Sequence, residues 1–183
     1  MSLRKALAYS KKYARPYTRT SRSKGKSYIK TVTNNKVVKY QGGNQQDFQG
    51  KKYMFILRLV AQEQAQVRYI AIEAARQMLT KELDTNLAGN YYLEVKVHPH
   101  HILRNNKTAA GAGADRMSTG MSRSFGDVEG RAAIVRSGTD LFVIACETES
   151  ASRIVREAFR MAKAKLPCST HVMFETLKKP AGV

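Results

Sequence analysis

Apolar and polar residues follow a clear periodicity only from residue 53 onward. Tyr53–Val60 is a short apolar run of strand length that holds one charge, and it predicts a buried strand. In the following segment, which is rich in Ala, Glu, Gln and Arg, Val67, Ala71, Ala74 and Met78 recur every three or four positions, and Ile70 and Leu79 widen this apolar stripe. This spacing predicts an amphipathic helix over about Glu63–Leu83.

The middle of the chain predicts further strands. After a turn at Gly89 and Asn90, Tyr91–Val97 places apolar residues on one face and charged residues on the other, as in a half-buried strand. His98–Arg104 continues extended after a proline break. Two more apolar runs, at 132–136 and 141–147, are joined through a Ser-Gly-Thr-Asp turn, and this arrangement resembles a hairpin.

The remaining residues predict a second helix and a closing strand. Ser150 or Ser152 can cap the helix, which ends before Pro167. Its expected inner face consists of Ile154, Ala158, Met161 and Ala162. His171–Glu175 gives the last strand. The element order predicts an α+β fold, in which a single domain has two helices packed on a mixed, mostly antiparallel sheet.

Charge is distributed unevenly along this chain. Residues 1–52 hold 14 of the 32 Lys and Arg residues and a single acid, Asp47, so that +13 of the net charge of +18 lies there. The segment has few aliphatic residues to bury, and tyrosines able to stack on unpaired bases lie among the cations. We expect a basic arm that follows RNA, with a solvated flexible tail as the alternative. The expected contacts are Arg4, Lys5, Lys11, Lys12, Arg15, Tyr17, Arg19, Arg22, Lys24, Lys26 and Lys30.

The segment between Arg104 and Arg131 has neither helical nor strand periodicity. Loops of this length in compact domains are uncommon and are usually functional or disordered. Glycines let the backbone approach another surface closely, and cations supply phosphate contacts. The glycines and cations that we expect to act in this way are Arg104, Lys107, Gly111, Gly113, Arg116, Gly120 and Arg123. We therefore divide the chain into an arm at 1–52, an α+β domain at 53–176 that includes this loop at 105–130, and a short tail at 177–183.

Cofactor and metal sites are not indicated by the motifs. The Gly111 and Gly113 segment lacks a third glycine at dinucleotide spacing, and no Gly-Lys-Ser/Thr follows as in a phosphate-binding loop. His98, His100 and His101 lie within four positions, but on an extended strand they would not share one face, and no Cys partner is near. We expect these histidines to contact RNA or to cap the sheet, and we expect no cofactor and no metal.

Enzymatic and membrane functions are also disfavoured. No nucleophile, base and orienting group stand in a recognisable pattern, although residues distant in sequence can meet in space, so an RNA-modifying enzyme stays an alternative. The sequence has no apolar run near the roughly 20 residues that span a bilayer, and no signal-peptide pattern. Cys146 and Cys168 are too sparse for a disulfide scaffold, in agreement with a cytosolic protein.

Several short motifs occur in the order and spacing of one protein family: Ala14–Arg19, Glu73–Arg76, His98–Arg104, Gly111–Arg116, Thr119–Met121 and Val155–Arg160. Together they closely resemble ribosomal protein L-ten-e, the archaeal and eukaryotic counterpart of bacterial L-sixteen. The resemblance covers nearly the whole chain. Because the long tail typical of eukaryotic members is absent, an archaeal source is expected.

The resemblance implies an α/β-hammerhead domain in the large ribosomal subunit, bound to large-subunit rRNA and to neighbouring ribosomal proteins rather than forming an isolated homo-oligomer. It also implies that Asn105–Met121, including Met117, forms a loop that approaches tRNA near the peptidyl transferase centre. A free RNA-binding assembly factor or chaperone is the alternative. In each of these functions the protein positions RNA and carries out no chemistry.

Overall fold

Two antiparallel sheets and three helices make up the part of the chain that the computed structural model describes, which is residues 7, 9, 10, 33–105 and 127–177. The strands are β1 (Gln41–Gly43), β2 (Phe55–Ala61), β3 (Ala65–Arg68), β4 (Tyr91–Val95), β5 (His101–Asn105), β6 (Asp127–Val135), β7 (Asp140–Cys146) and β8 (Thr170–Thr176). The helices are α1 (Gln45–Gln49), α2 (Tyr69–Leu87) and α3 (Glu149–Lys163). The predicted α+β class is confirmed.

The larger sheet has the strand order β1-β4-β7-β2-β8. Alternate residues of its central strands point to one face, where α2 and α3 cover them, because successive side chains of a strand point to opposite sides. The fully buried side chains on this face include Leu57, Leu59, Phe142 and Ile144. Each such burial contributes about 1.5–3 kcal/mol, so this layer supplies most of the core.

Helix α1 covers part of the opposite face of the larger sheet. Phe48 stacks on Tyr92 with ring centroids 4.1 Å apart, and Tyr53 and Ala145 are buried beside them. Asn44 caps the helix by accepting hydrogen bonds from the backbone amides of its first turn. At the preceding Gly43, φ is +78°, and a Cβ would collide with the carbonyl oxygen of Tyr91, so only glycine fits this turn.

The smaller sheet has the order β3-β6-β5. Ala65, Val67, Ala133 and Val135 face the main core. Much of the other face of this sheet is also buried, although it carries polar side chains: Gln66, Arg68 and His101 are at most 4% exposed, whereas Ile134 is 41% exposed. Arg68 and His101 both lie opposite Ala132 in the register, so they stand on one row of that face.

The predicted start of the first long helix was wrong. Residues 65–68 form β3, and α2 begins at Tyr69. Val67 fitted the helical spacing of Ala71 and Met78, but it lies on a strand whose polar positions, Gln66 and Arg68, are buried too. A strand buried on both faces does not show the alternation that identifies strands in sequence.

The predicted hairpin between residues 132–136 and 141–147 was also wrong. Strand β6 pairs with β3 and β5, whereas β7 pairs with β2 and β4. The Thr139 amide does donate to the Arg136 carbonyl within a turn, but the Gly138 amide (φ +82°) donates to the Ala61 carbonyl at the end of β2, and the Thr139 carbonyl accepts from the Ala61 amide. The turn therefore leads the chain from one sheet into the other.

The second predicted helix exists, but its cap and its inner face differ from those expected. Thr148, not Ser150 or Ser152, is the N-cap, and its hydroxyl accepts a hydrogen bond from the Ala151 amide at 3.2 Å. The buried face consists of Ala151, Ser152, Val155, Ala158, Phe159 and Ala162, while Ile154 and Met161 are partly exposed. A short third helix, α1, was not predicted.

The folded part of the chain extends N-terminal to residue 53. Residues 41–49, which the division by charge placed in the arm, form β1 and α1, and β1 pairs with β4. At the other boundary, β6 begins at Asp127, inside the segment expected to be loop. The proposed arm and loop are therefore taken below as the residues before 33 and residues 106–126.

Candidate RNA interface

Strands β5 and β6 hold the two ends of the long loop side by side. Asn105, the last residue of β5, pairs with Asp127, the first residue of β6. The register shifts between Leu103 and Arg104, and a bulge of this kind bends and twists the pair locally. Asn105 and Asp127, which flank residues 106–126, are thus neighbours in a pair of hydrogen-bonded strands.

Arg104 and His101 are the ionisable residues of β5, and burial affects both. Burial lowers the pKa of Arg104 below its usual value, which is so high that the guanidinium keeps its charge at neutral pH. Burial, together with the positive charge of Arg104, lowers the pKa of His101. His101 is consequently a neutral, buried support, and Arg104 carries the charge next to the loop.

The smaller sheet also contacts both described flanks of the basic arm. The Tyr9 hydroxyl donates a hydrogen bond of 2.6 Å to the Glu129 carboxylate, and the Gln66 amide donates one of 2.8 Å to the Ser10 carbonyl. On the other flank, Arg131 Nε donates to the Thr33 carbonyl at 2.6 Å. Residues 10 and 33 are therefore both tied to the sheet that supports the loop.

A nearly buried ion pair fastens the segment that follows Thr33 to α2. Arg76 donates two hydrogen bonds to the Glu73 carboxylate, at 2.9 and 2.6 Å, and the Val38 amide approaches the same carboxylate at 3.4 Å. Burial opposes ionisation of Glu73, but the hydrogen bonds and charge of Arg76, with a bond from Gln77, hold its pKa below the ordinary value. The carboxylate stays charged and fixes residues 36–40 against the helix.

Three stacked rings lie where this segment enters β1. Tyr40 stacks on His98 with centroids 4.0 Å apart and planes 9° apart, and His98 stacks on His100 at 5.0 Å and 17°. Both histidines are exposed. Desolvation within the stack, and then the neighbouring His100, lower the pKa of His98, so its ring is neutral at neutral pH. Flat exposed rings of this kind are suited to stacking on unpaired bases.

The sequence profile of the family described as Ribosomal protein L16p/L10e matches residues 13–173. The chain belongs to this family. The uL16 protein of the large ribosomal subunit of Staphylothermus marinus is 38% identical over 179 residues, covering 97% of each chain. Those of Pyrobaculum arsenaticum and Archaeoglobus fulgidus are each 38% identical over 94% or more of this chain and 93% of their own. The expected resemblance, including its archaeal branch, is confirmed.

Most residues predicted to touch RNA in this ribosomal protein lie outside the described residues. This applies to the whole expected arm set: Arg4, Lys5, Lys11, Lys12, Arg15, Tyr17, Arg19, Arg22, Lys24, Lys26 and Lys30. It applies equally to the loop residues Lys107, Gly111, Gly113, Arg116, Met117, Gly120 and Arg123. Arg104 and Asn105 are described, and they stand at the base of the loop.

Sequence reasoning missed the residues that hold these two segments. Tyr40 and Arg131 were not singled out, and Glu73 and Arg76 entered only as part of a motif of the L16p/L10e family. The pairing partners lie far apart in sequence: 98 residues separate Arg131 from Thr33, and 120 separate Tyr9 from Glu129. The one available signal was the His98 and His100 spacing, which places both rings on one side of an extended segment.

The described residues offer no group of three His, Cys, Asp or Glu side chains able to hold a metal ion. In the same residues, no helix combines the length and apolar character required to cross a bilayer. Members of the L16p/L10e family are structural ribosomal proteins rather than enzymes.

Proposed function

We propose that this protein is a structural constituent of the large ribosomal subunit in the cytoplasm, where its N-terminal arm binds large-subunit rRNA and its loop helps to position tRNA near the peptidyl transferase centre. The names of its relatives, which are large-subunit proteins, support the first part. The observation that carries the rest is the attachment of both segments to β6: Asp127 bounds the loop, and Glu129 and Arg131 bind the flanks of the arm.

The distribution of charge also supports separate roles for the folded domain and for the arm and loop. The described residues hold 17 of the 32 Lys and Arg residues together with 13 of the 14 acids, for a net charge of +4 out of +18. The domain can therefore fold with little self-repulsion, whereas most of the surplus lies in the arm, the loop and the tail. Such a surplus is neutralised by binding a polyanion, which releases condensed counterions.

The proposed mechanism is positioning. The arm supplies phosphate contacts that fix the protein on rRNA, and phosphate contacts set register and orientation. Strands β5 and β6 hold the two ends of the loop at a fixed separation, so a glycine-rich backbone can approach tRNA closely without the whole domain moving. Bringing the two ends of any loop together costs conformational entropy, and paired strands at its ends meet that cost within the domain.

Sedimentation tests the ribosomal part of this proposal. A tagged copy of the chain should migrate with mature large subunits and stay with them through a moderate-salt wash, because shape-fitted rRNA contacts add to the electrostatic attraction. An assembly factor would appear on immature particles only. A pool that remains free at steady state would contradict the proposal.

Two deletions separate the roles of the loop and the arm. Removal of residues 108–119 should leave folding and incorporation into subunits intact but lower tRNA binding and peptide synthesis, because this segment adds little apolar core. Removal of residues 1–8 together with 11–31 should instead weaken incorporation. The loop role is refuted if subunits that carry the loop deletion translate at the normal rate.

A further inference from the structure

The outer face of α3 carries a row of cations that the arm and the loop do not account for. Arg153, Arg156, Arg160 and Lys163 are separated by three, four and three residues, the spacing that puts side chains on one side of a helix. The three arginines are exposed and Lys163 is partly exposed. At a rise of about 1.5 Å per residue, the row extends roughly 15 Å along the surface.

Two acids on the same face neutralise this row only in part. Glu149 lies 3.3 Å from Arg153, and Glu157 pairs with Arg160. The side chains of both pairs are 58–79% exposed, so each bond is worth little and is readily exchanged for a contact with another anion. With Lys165 just beyond the helix, the face keeps a net charge of +3.

Arg156, in the middle of the row, has a different partner. Its guanidinium lies over the ring of Phe174 on β8, 4.9 Å from the centroid, and Phe174 in turn stacks on Phe55 with centroids 5.7 Å apart. Among the ion pairs of the described residues, none involves Arg156. An arginine stacked in this way has its planar fork of donors held in place and still free to bind a phosphate.

We propose that this surface, formed by Arg153, Arg156, Arg160 and Lys163, is an additional binding site for the phosphodiester backbone of rRNA. The proposal rests on the large-subunit location given above, which supplies RNA as the surrounding polyanion. Arginine is the side chain best matched to phosphate by its bidentate geometry, and the row is long enough to meet several phosphates of one strand.

The surface is separate from the stacked rings described earlier. Strand β8 lies at one edge of the larger sheet and β1 at the other, with three strands between them. At about 4.8 Å per strand, the two edges are roughly 19 Å apart. The α3 surface would therefore contact a different RNA element from the one that meets Tyr40, His98 and His100.

Salt-dependent binding provides the first test. The variant Arg153→Gln/Arg156→Gln/Arg160→Gln keeps good helix formers at exposed positions, and the control Lys52→Gln/Lys81→Gln/Arg136→Gln removes three exposed cations elsewhere. Both are titrated with deproteinised large-subunit rRNA at several salt concentrations, after melting curves confirm folding. Each neutralised phosphate adds about 0.7–0.9 to the magnitude of the slope of log K against log salt. Relative to wild type, the slope should therefore decrease in magnitude by about 2–3 for the α3 variant and by less than 1 for the control. Equal losses would overturn the proposal.

Crosslinking in the assembled particle provides the second test. Cys146 and Cys168 are buried, so Glu157→Cys gives a single accessible thiol on the α3 surface for a photoreactive probe, with Thr85→Cys on α2 as the control. Crosslinks from position 157 to rRNA, exceeding those from position 85, support the site. Crosslinks to a ribosomal protein alone would identify a protein neighbour in place of RNA and overturn it, as would the absence of crosslinks. If the chain does not sediment with subunits at all, the proposed function fails instead.

Discussion

The Glu73–Arg76 pair leads to a quantitative prediction about how residues 36–40, which follow the arm, are attached to α2. Glu73→Gln removes the charge that accepts two hydrogen bonds from Arg76 and one from the Val38 amide. The shape of the side chain is nearly unchanged, so the effect of the substitution is electrostatic. Glu157→Gln on α3 is the matched control, because Glu157 and Arg160 form a pair with the same spacing of three residues on an exposed surface.

The expected magnitude follows from burial. Removing one partner of a buried pair costs about 3–5 kcal/mol, because the other charge is left uncompensated. The Glu73 and Arg76 side chains are 11% and 14% exposed, so some water reaches the abandoned guanidinium, and we expect a loss of about 2–3 kcal/mol. The exposed control pair should lose about 0–0.5 kcal/mol. For a chain of this size, 1 kcal/mol lowers Tm by about 2–4 °C.

Denaturant and thermal unfolding at two pH values measure both the size and the sign of the effect. The pKa of Glu73 in the folded protein lies below its unfolded value of about 4.5. The contribution of Glu73 to the free energy of unfolding is therefore fully present above pH 4.5 and is lost as pH falls through the folded pKa. The difference between wild type and Glu73→Gln should therefore be large at pH 7 and shrink in acid. If both variants lose the same stability at pH 7, or if the Glu73→Gln difference does not change with pH, the pair does not hold this segment.

Three further predictions concern other contacts. Tyr9→Phe removes the hydrogen bond to Glu129 and should lower the free energy of unfolding, measured in denaturant, by about 1 kcal/mol. If the free energy of unfolding does not change, this bond does not hold the flank of the arm. His98→Ala should weaken binding to large-subunit rRNA roughly tenfold with an unchanged salt slope, because a neutral stacking ring is lost; a smaller slope would point to a charge effect. Burial raises the pKa of Cys146 to about 11 and also raises the pKa of Cys168. At pH 8 a thiol reagent should therefore label neither residue until denaturant is added. Rapid labelling of the native protein would contradict their burial.

The parts of the fold that were predictable are those whose local pattern agrees with their environment. Tyr91, Leu93 and Val95 occupy alternate positions because this face of β4 meets the main core, and the apolar run at 55–61 is a central strand, β2. Strand β3 could not be found in this way, since Ala65 and Gln66 are both buried. The identity of strand partners also escaped prediction, because the turn at Gly138 looks the same whether β6 pairs with β7 or passes into another sheet.

The candidate site was predictable in composition but not in geometry. Clustered cations and glycines indicate which segments carry charge and which can approach another surface, and no long-range contact is needed to see this. The supports are different: Arg131 holds Thr33 through a single backbone carbonyl, and Tyr40 meets His98 only after β1 pairs with β4. Contacts that depend on pairing between distant strands leave no local trace in the sequence.

The contrast between compensated and uncompensated cations is the most informative electrostatic feature of the domain. Several cations elsewhere on the described surface have nearby acids: Arg58 lies between Asp140 and Glu175, and Lys52 is close to Asp47 and Glu147. Cations that are paired in this way need no polyanion to balance their charge. The face of α3 keeps a net charge of +3 even after its two ion pairs are counted, and this surplus adds self-repulsion that an unbound domain has to bear. Phosphate on that face would remove the repulsion, which is the physical reason to look for RNA there.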